Sequence, residues 1–223
     1  LDIVKSNSVD YIYIDPPYGA NISYLDLSTM WYAWLFTDSN PDEFKNEEVI
    51  EGGDLSKNQE TYLNLLEKSV EELSRVLKYN KFLTLAFSHK DLNLWFKISQ
   101  IFQKYNFNYV KIDYYPSFYS SFHKLKSTQS VLTGQIVITF KKEKIFRLKK
   151  EKIFKDQENF ILRLTKQFLI KKDMSLEEII KKLVLSMFKN KINFTNLKIS
   201  SVLKVCKENF KYNKNKNEWS FNR

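Results

Sequence analysis

The stretch "VDYIYIDPPYG", residues 9 to 19, constrains this chain more than any other. Val9 to Ile14 alternate in the manner of a half-buried β-strand. The strand stops at Asp15, after which Pro16 and Pro17 fix their own φ angles and keep the residues before them extended. Both prolines offer carbonyls without a competing N–H, and Gly19 lets the chain turn away with no side chain in the path. A carboxylate and a phenol, Asp15 and Tyr18, are thereby held at the carboxyl end of a strand. Ligands of open α/β sheets bind at that edge.

The following residues predict a layered α/β body. Apolar residues at three- and four-residue spacings mark a helix over 23–36, with Ser23 as its cap, and another over 60–78. Between them, 37–57 is polar, carries Pro41 and Gly52-Gly53, and reads as a mobile excursion. "KFLTLAFS" (81–88) has the apolar run of a strand buried on both faces. A helix over 91–105 follows with Asp91 as cap, then strands over 107–117 and 134–142. These last two strands have no helix between them and are expected to pair antiparallel. The intervening segment, "FYSSFHKLKSTQSVLT", is long enough to reach over a site at the sheet edge.

Beyond Lys142 the composition shifts. Residues 143–156 read as a charged connector, and 157–223 as a basic module. That module holds three helical segments and a polar turn leading into a short strand, the outline of a winged helix-turn-helix or of another small helical cap. From residue 141 onward 23 basic residues face 9 acidic ones, a net +14, against −4 for residues 1–140. Such asymmetry fits a polyanionic partner or a lysine-rich solvated surface. The single Cys206 excludes an internal disulfide and a cysteine metal cage, and it reads as inert core. No apolar run approaches the roughly 20 residues of a membrane span, and the expected compartment is a reducing cytoplasm.

The segment "SVDYIYIDPPYGANISYLDLSTMWYAWL" resembles the catalytic region of S-adenosylmethionine-dependent DNA amino methyltransferases. It is most similar to the adenine-specific branch that carries a DPPY motif. The resemblance continues through "RVLKYNKFLTLAFSH" and "SFHKLKSTQSVLTGQIVITFKK", so it covers residues 5 to 142. It implies a partial Rossmann-like class I methyltransferase sheet of about four strands, with S-adenosylmethionine as cofactor and DNA as partner. The implied reaction is methyl transfer to the N6 amine of adenine. Asp15 Oδ and the Pro16 carbonyl would accept from the amine, Pro17 would stiffen the corner, and Tyr18 would stack on the extruded base. Asp15 and Gly19 would border the methyl donor. Asn21, Tyr24, His123, Lys124 and Lys126 would line the substrate side, the last three on the long late loop; Ser88 and His89 border the cleft or face water.

One family feature is missing. The glycine-rich loop that cradles the donor needs close backbone approach, yet Gly19, Gly52, Gly53 and Gly134 are the chain's only glycines and none forms such a loop. The chain is therefore expected to be the C-terminal catalytic half, as a fragment, one subunit of a split enzyme, or a degenerate remnant. The catalytic strand would then be an open edge, covered by a partner chain, by an N-terminal half or by a second copy. The competing expectation is an inactive nucleic-acid-binding or scaffold subunit that keeps the fold.

Overall fold

The computed structural model describes residues 3–18, 23–35, 41–89, 91–115, 135–144, 152–153, 156–190, 192–193 and 199–221. The first strand, β1 (Val9–Ile14), leads through the Asp15 corner to α1 (Tyr24–Leu35) and a single 3-10 turn (Pro41–Phe44). Next come α2 (Gln59–Val76), β2 (Leu77–Phe87), α3 (Leu92–Lys104), β3 (Phe107–Tyr115) and β4 (Gln135–Lys142). The four strands form one mixed sheet in the order β1-β2-β4-β3. β1 runs parallel to β2, and β4 runs antiparallel to both of its neighbours. The fold is mixed α/β, and β3 and β4 pair antiparallel, as expected from the sequence.

Alternation decides the two sheet faces. Leu83, Leu85 and Phe87 of β2 and Ile136, Ile138 and Phe140 of β4 share one face and are almost wholly buried. Helices α2 and α3 cover it, with Phe102 stacked on Phe140 at 4.4 Å between ring centroids. The opposite face carries Tyr11, Tyr13, Phe82 and Tyr115, all exposed among the described residues. Among the described residues β1 has one strand neighbour, β2.

Three boundaries differ from the sequence expectation, each for a local reason. Helix α2 ends at Val76, short of residue 78, because Leu77 turns extended with ψ 134° and enters the sheet directly. The amides of Asn7 and Ser8 then take the carbonyls of Arg75 and Val76 at 2.9 Å each, satisfying the helix end from the start of the chain. Strand β2 accordingly starts at Leu77, with Asn80 at φ +62° absorbing an irregularity where the register with β1 shifts. Asn7, Asn106 and Asn217 also adopt positive φ, as does Ser56, so asparagine fills most of the non-glycine left-handed positions among the described residues.

The third difference is larger. Of the segment 37–57, residues 37–40 lie outside the described residues and 41–57 are folded around one ammonium group. Lys57, buried despite its charge, donates to the carbonyls of Lys45, Asn46 (3.1 Å) and Glu48 (2.6 Å). Its backbone pairs with Gly52, which sits at φ +82° as the tight return requires. Asn58 caps α2 through the amide of Thr61 at 2.8 Å, and Asp91 caps α3 through the amide of Asn93 at 2.9 Å.

The C-terminal residues add β5 (Lys152–Ile153), α4 (Gln157–Leu169), α5 (Leu176–Asn190), β6 (Ile192–Asn193), α6 (Ile199–Asn209), β7 (Lys211–Asn213) and β8 (Glu218–Ser220). The polar end thus forms a hairpin, β7 with β8, where the sequence predicts one short strand. Cys206 is fully buried, and burial pushes its thiol up to about 12, which keeps it unreactive. Phe188 of α5 meets Trp95, Tyr109 and Phe140 at 6.0–6.4 Å, so these helices share one core with the sheet. Among the described residues no helix is long and apolar enough to cross a membrane.

A second buried ammonium ties the sheet to its start. Lys142 Nζ donates to the carbonyls of Ser74 (2.6 Å) and Leu77 (2.7 Å) and to Asn7 Oδ1 (3.0 Å). Burial pulls its pKa down, while three acceptors match the three protons of its charged form. Lys142→Met leaves buried carbonyls unsatisfied and should lower stability by about 2–4 kcal/mol. Urea unfolding should show the midpoint falling at constant slope, and an unchanged midpoint would mean that the cage is dispensable.

Candidate active site

The corner at Asp15 is built as the prolines dictate. Pro16, Pro17 and Tyr18 are half-buried, and Asp15 is exposed at the tip of β1. Tyr18 is fixed at both ends. Its hydroxyl donates to Asp15 Oδ1 at 2.5 Å and accepts from the Gln135 amide, and its ring meets Phe87 edge-on at 5.2 Å. Behind the corner, the wholly buried Tyr62 of α2 donates its hydroxyl to the Pro17 carbonyl at 2.8 Å.

These bonds sort the oxygens of the corner. The Pro17 carbonyl and one carboxylate oxygen of Asp15 are occupied. Asp15 Oδ2 and the Pro16 carbonyl have no hydrogen-bond partner among the described residues. Among the described residues the corner therefore leaves two acceptor oxygens open. Burial, with the Asp15 carboxylate second, holds the Tyr18 phenol far above its ordinary value, so it stays protonated.

A cavity of about 590 Å³ opens beside the corner, between it, α2 and the folded strap. Ile14, Pro16, Pro17, Val49, Leu66 and Leu73 give it apolar walls; Asp15, Glu47, Lys68 and Glu72 are its charged members. Its volume suits a small molecule. These residues fit one wall of a site for a charged, partly apolar cofactor. They do not supply a backbone cradle: the described glycines, Gly52 and Gly53, belong to the strap.

Helix α1 follows on a second support. Ser23 Oγ accepts from the Asp26 amide at 3.3 Å, as the predicted cap should, and donates to Glu48 of the strap at 3.1 Å. The Leu25 amide donates to the same carboxylate at 2.9 Å. An acid at a helix start is favourable on dipole grounds as well. Yet α1 buries no residue: Tyr24, Leu27, Met30, Trp31, Trp34 and Leu35 are all exposed.

Of the sequence-predicted site residues, Asp15, Pro16, Pro17 and Tyr18 stand together at the corner, and Tyr24 lies at the first turn of α1. Gly19, Asn21, His123, Lys124 and Lys126 lie outside the described residues. His89 accepts from the Asp91 amide through Nδ1 at 3.0 Å, and its carbonyl takes the Trp95 indole at 2.9 Å, so its part is to shape the end of β2. Sequence reasoning missed Tyr62, Gln135 and Glu48. No local spacing marks them, because each reaches the corner or its helix from a distant element.

No family model and no curated protein matches this chain. Among solved structures it is similar to a protein of Thermus thermophilus, provisionally described as a DNA modification methylase, in a complex with S-adenosyl-L-methionine. Identity is 12%, the TM-score is 0.37, and the match covers 74% of this chain and 59% of that one. It is also similar to PvuII DNA methyltransferase, described as cytosine-N4-specific, at 10% identity and TM-score 0.41, over 74% and 58% of the two chains. The chain thus spans less than two thirds of the length of these structures.

The Tyr18 environment makes a pH prediction. A free phenol ionises near pH 10, and in the folded chain Tyr18 should keep its proton beyond that. The unfolded state then loses this proton first, so the contribution of Tyr18 to stability declines as pH rises past 10. NMR of ring-labelled tyrosine should show a late-titrating Tyr18 resonance that Asp15→Asn moves towards the ordinary value, while those of Tyr105 and Tyr109, also raised by burial, stay where they are. A Tyr18 signal titrating with the exposed tyrosines would refute the geometry.

Proposed function

We propose that this chain is the catalytic part of a DNA methyltransferase that moves a methyl group from S-adenosylmethionine to an exocyclic amine of a base, adenine N6 being the assigned target. The observation that carries this reading is the acceptor pair at the proline corner, Asp15 Oδ2 and the Pro16 carbonyl, held beside a cavity of about 590 Å³. An exocyclic amine is a weak nucleophile because its lone pair is delocalised into the ring. Two acceptors on its N–H groups favour a pyramidal nitrogen with a freer lone pair. The donor, when bound, supplies an electrophilic methyl on a sulfonium.

Alignment is what such a transfer needs most, and rigid parts supply it. The prolines set the corner, Tyr62 takes the one carbonyl that would compete for the amine, and Gln135 and Asp15 orient Tyr18. The Tyr18 ring is the platform proposed for the base flipped out of the duplex. Asp15, Ile14 and the apolar cavity wall face the donor side. The cradle for the rest of the donor is proposed to come from a second polypeptide segment against the open edge of β1, where Tyr11 and Tyr13 lie exposed. Asp15 at the first corner position supports adenine over cytosine by analogy with the adenine-specific branch.

The test is transfer of labelled methyl from S-adenosylmethionine to duplex DNA, followed by nucleoside mass spectrometry for N6-methyladenine and N4-methylcytosine. The parent chain, with any copurifying partner, should yield N6-methyladenine. Asp15→Ala should lose at least about a hundredfold in rate, the scale set by removing a positioned polar group at a reacting centre, with folding stability within about 1 kcal/mol. Methylation that survives in Asp15→Ala would remove this residue from the mechanism. N4-methylcytosine as product would move the target but keep the chemistry.

A further inference from the structure

The last 70 residues hold a second built feature. In chain order it runs α4, a bridge residue, α5, α6 and the β7–β8 hairpin. The bridge residue, Met174, exchanges two backbone hydrogen bonds with Trp219 of β8, at 2.7 and 3.0 Å. The hairpin is therefore anchored to the start of α5 and does not hang free. Helix α6 buries Val202, Val205 and Cys206 towards α4 and α5, and turns Ser200, Lys204, Lys207, Glu208 and Asn209 outward.

We infer that the outward face of α6 and the β7–β8 hairpin form a docking surface for duplex DNA. The inference deepens the proposed function, because it assigns the part of the chain that holds the duplex while the Asp15 corner acts on a base. Three observations carry it.

The first is charge. Lys207, Lys211, Lys214 and Lys216 are exposed and have no acidic partner among the described residues, while Lys204 lies 3.3 Å from Glu158. Only two acids, Glu208 and Glu218, lie in 199–221. The second is stiffness. Asn213 Oδ1 accepts from the amides of Asn215 (3.0 Å) and Lys216 (3.3 Å), the Tyr212 hydroxyl donates to Asn217 Oδ1 at 2.6 Å, and the Tyr212 ring meets Trp219 at 4.8 Å. The hairpin tip is thus preorganised with its lysines outward, which lowers the ordering cost of binding.

The third is shape. An exposed helix of 11 residues, roughly 16 Å long, fits the major groove of B-form DNA, with a flanking hairpin reaching the adjacent backbone. The deep, narrow major groove of an A-form RNA helix does not admit it. The surface offers exposed lysines and Asn215, with Tyr212 the one large exposed ring among its described residues, so it lacks the apolar face that would enter a membrane.

Fluorescence anisotropy with the full chain and a labelled DNA duplex of about two helical turns, over about 50–200 mM salt, tests this. Lys214→Gln/Lys216→Gln and Lys207→Gln/Lys211→Gln should each reduce the slope of log K against log salt by about 1–2 and weaken binding about fivefold to twentyfold. Lys78→Gln/Lys81→Gln, which removes cations paired with Asp10 on the sheet, should leave both quantities at parent values. Parent-like slopes in both surface variants, no binding by the parent, or equal affinity for duplex RNA of the same sequence would each overturn the inference. Methyl transfer by the parent is read separately. Binding that depends on these lysines with no methylated product keeps the docking surface and sinks the proposed reaction; methylation with lysine-independent binding does the reverse.

Discussion

The corner depends on one packing contact, the edge of Tyr18 against Phe87. Phe87 is the last residue of β2 and fully buried, and it stands edge-on against Trp95 at 4.9 Å. Trp95 in turn meets Phe188 of α5. A column of four rings therefore runs from the exposed tip of β1 through the core to the C-terminal helices, each contact in the edge-to-face geometry that aromatic quadrupoles favour. Hydrogen bonds alone would leave a solvent-facing carboxylate free to rotate. With the phenol pinned by its ring, the bond from its hydroxyl to Asp15 fixes the carboxylate too, and the second carboxylate oxygen acquires a defined direction.

Much of this was legible in the sequence, for reasons that separate local from non-local physics. The strand and helix positions follow from alternation and from 3.6-residue periodicity, and Ser23 and Asp91 cap their helices because short polar side chains reach backbone amides two or three residues on. Lys57 and Lys142 were not legible. A lysine among polar neighbours reads as solvated, and nothing in its surroundings tells that three acceptors converge on it, from the preceding strap for Lys57 and from distant residues for Lys142. Tyr62 and Gln135 escaped for the same reason, at separations of 45 and 117 residues from their partners. The α1 pattern misled in another way: periodicity shows that an apolar stripe exists, and it does not show that anything in the chain covers it. The β7 strand was missed because "KYN" is short, polar and exposed, and it pairs only because β8 is anchored at Met174.

The uncovered surfaces form a pattern of their own. Strand β1 is paired on one side, its outward residues Tyr11 and Tyr13 are exposed, and α1 presents Trp31, Trp34 and Leu35 at 55–70% of their full area. Exposed large rings are common singly and uncommon in such number around one strand and its following helix. A doubly wound sheet has helices on both faces and its ligand site where strand order reverses, and the described sheet has helices on one face with the corner at its outer strand. The proposed second segment would restore both features at once. It would pair β1 and bring a donor cradle to the cavity side of Asp15, so the one proposed segment would supply both a neighbour for β1 and the glycine loop.

The two proposed sites are related by rigidity. The proposed transfer relies on alignment, and the Tyr18 phenol, held far above its ordinary value by burial and by the Asp15 carboxylate, stays protonated and takes no part as a base. Precision must then come from holding the base still relative to Asp15, and the base is attached to a long duplex. A nucleic-acid module on a loose tether would raise local concentration but leave the angle of approach free. Here α5 carries the support of the α6 surface and also inserts Phe188 among Trp95, Tyr109 and Phe140. The same buried ring that anchors the module thus ends the column that begins at Tyr18, so a duplex held by the hairpin is held in a fixed frame with the acceptor pair.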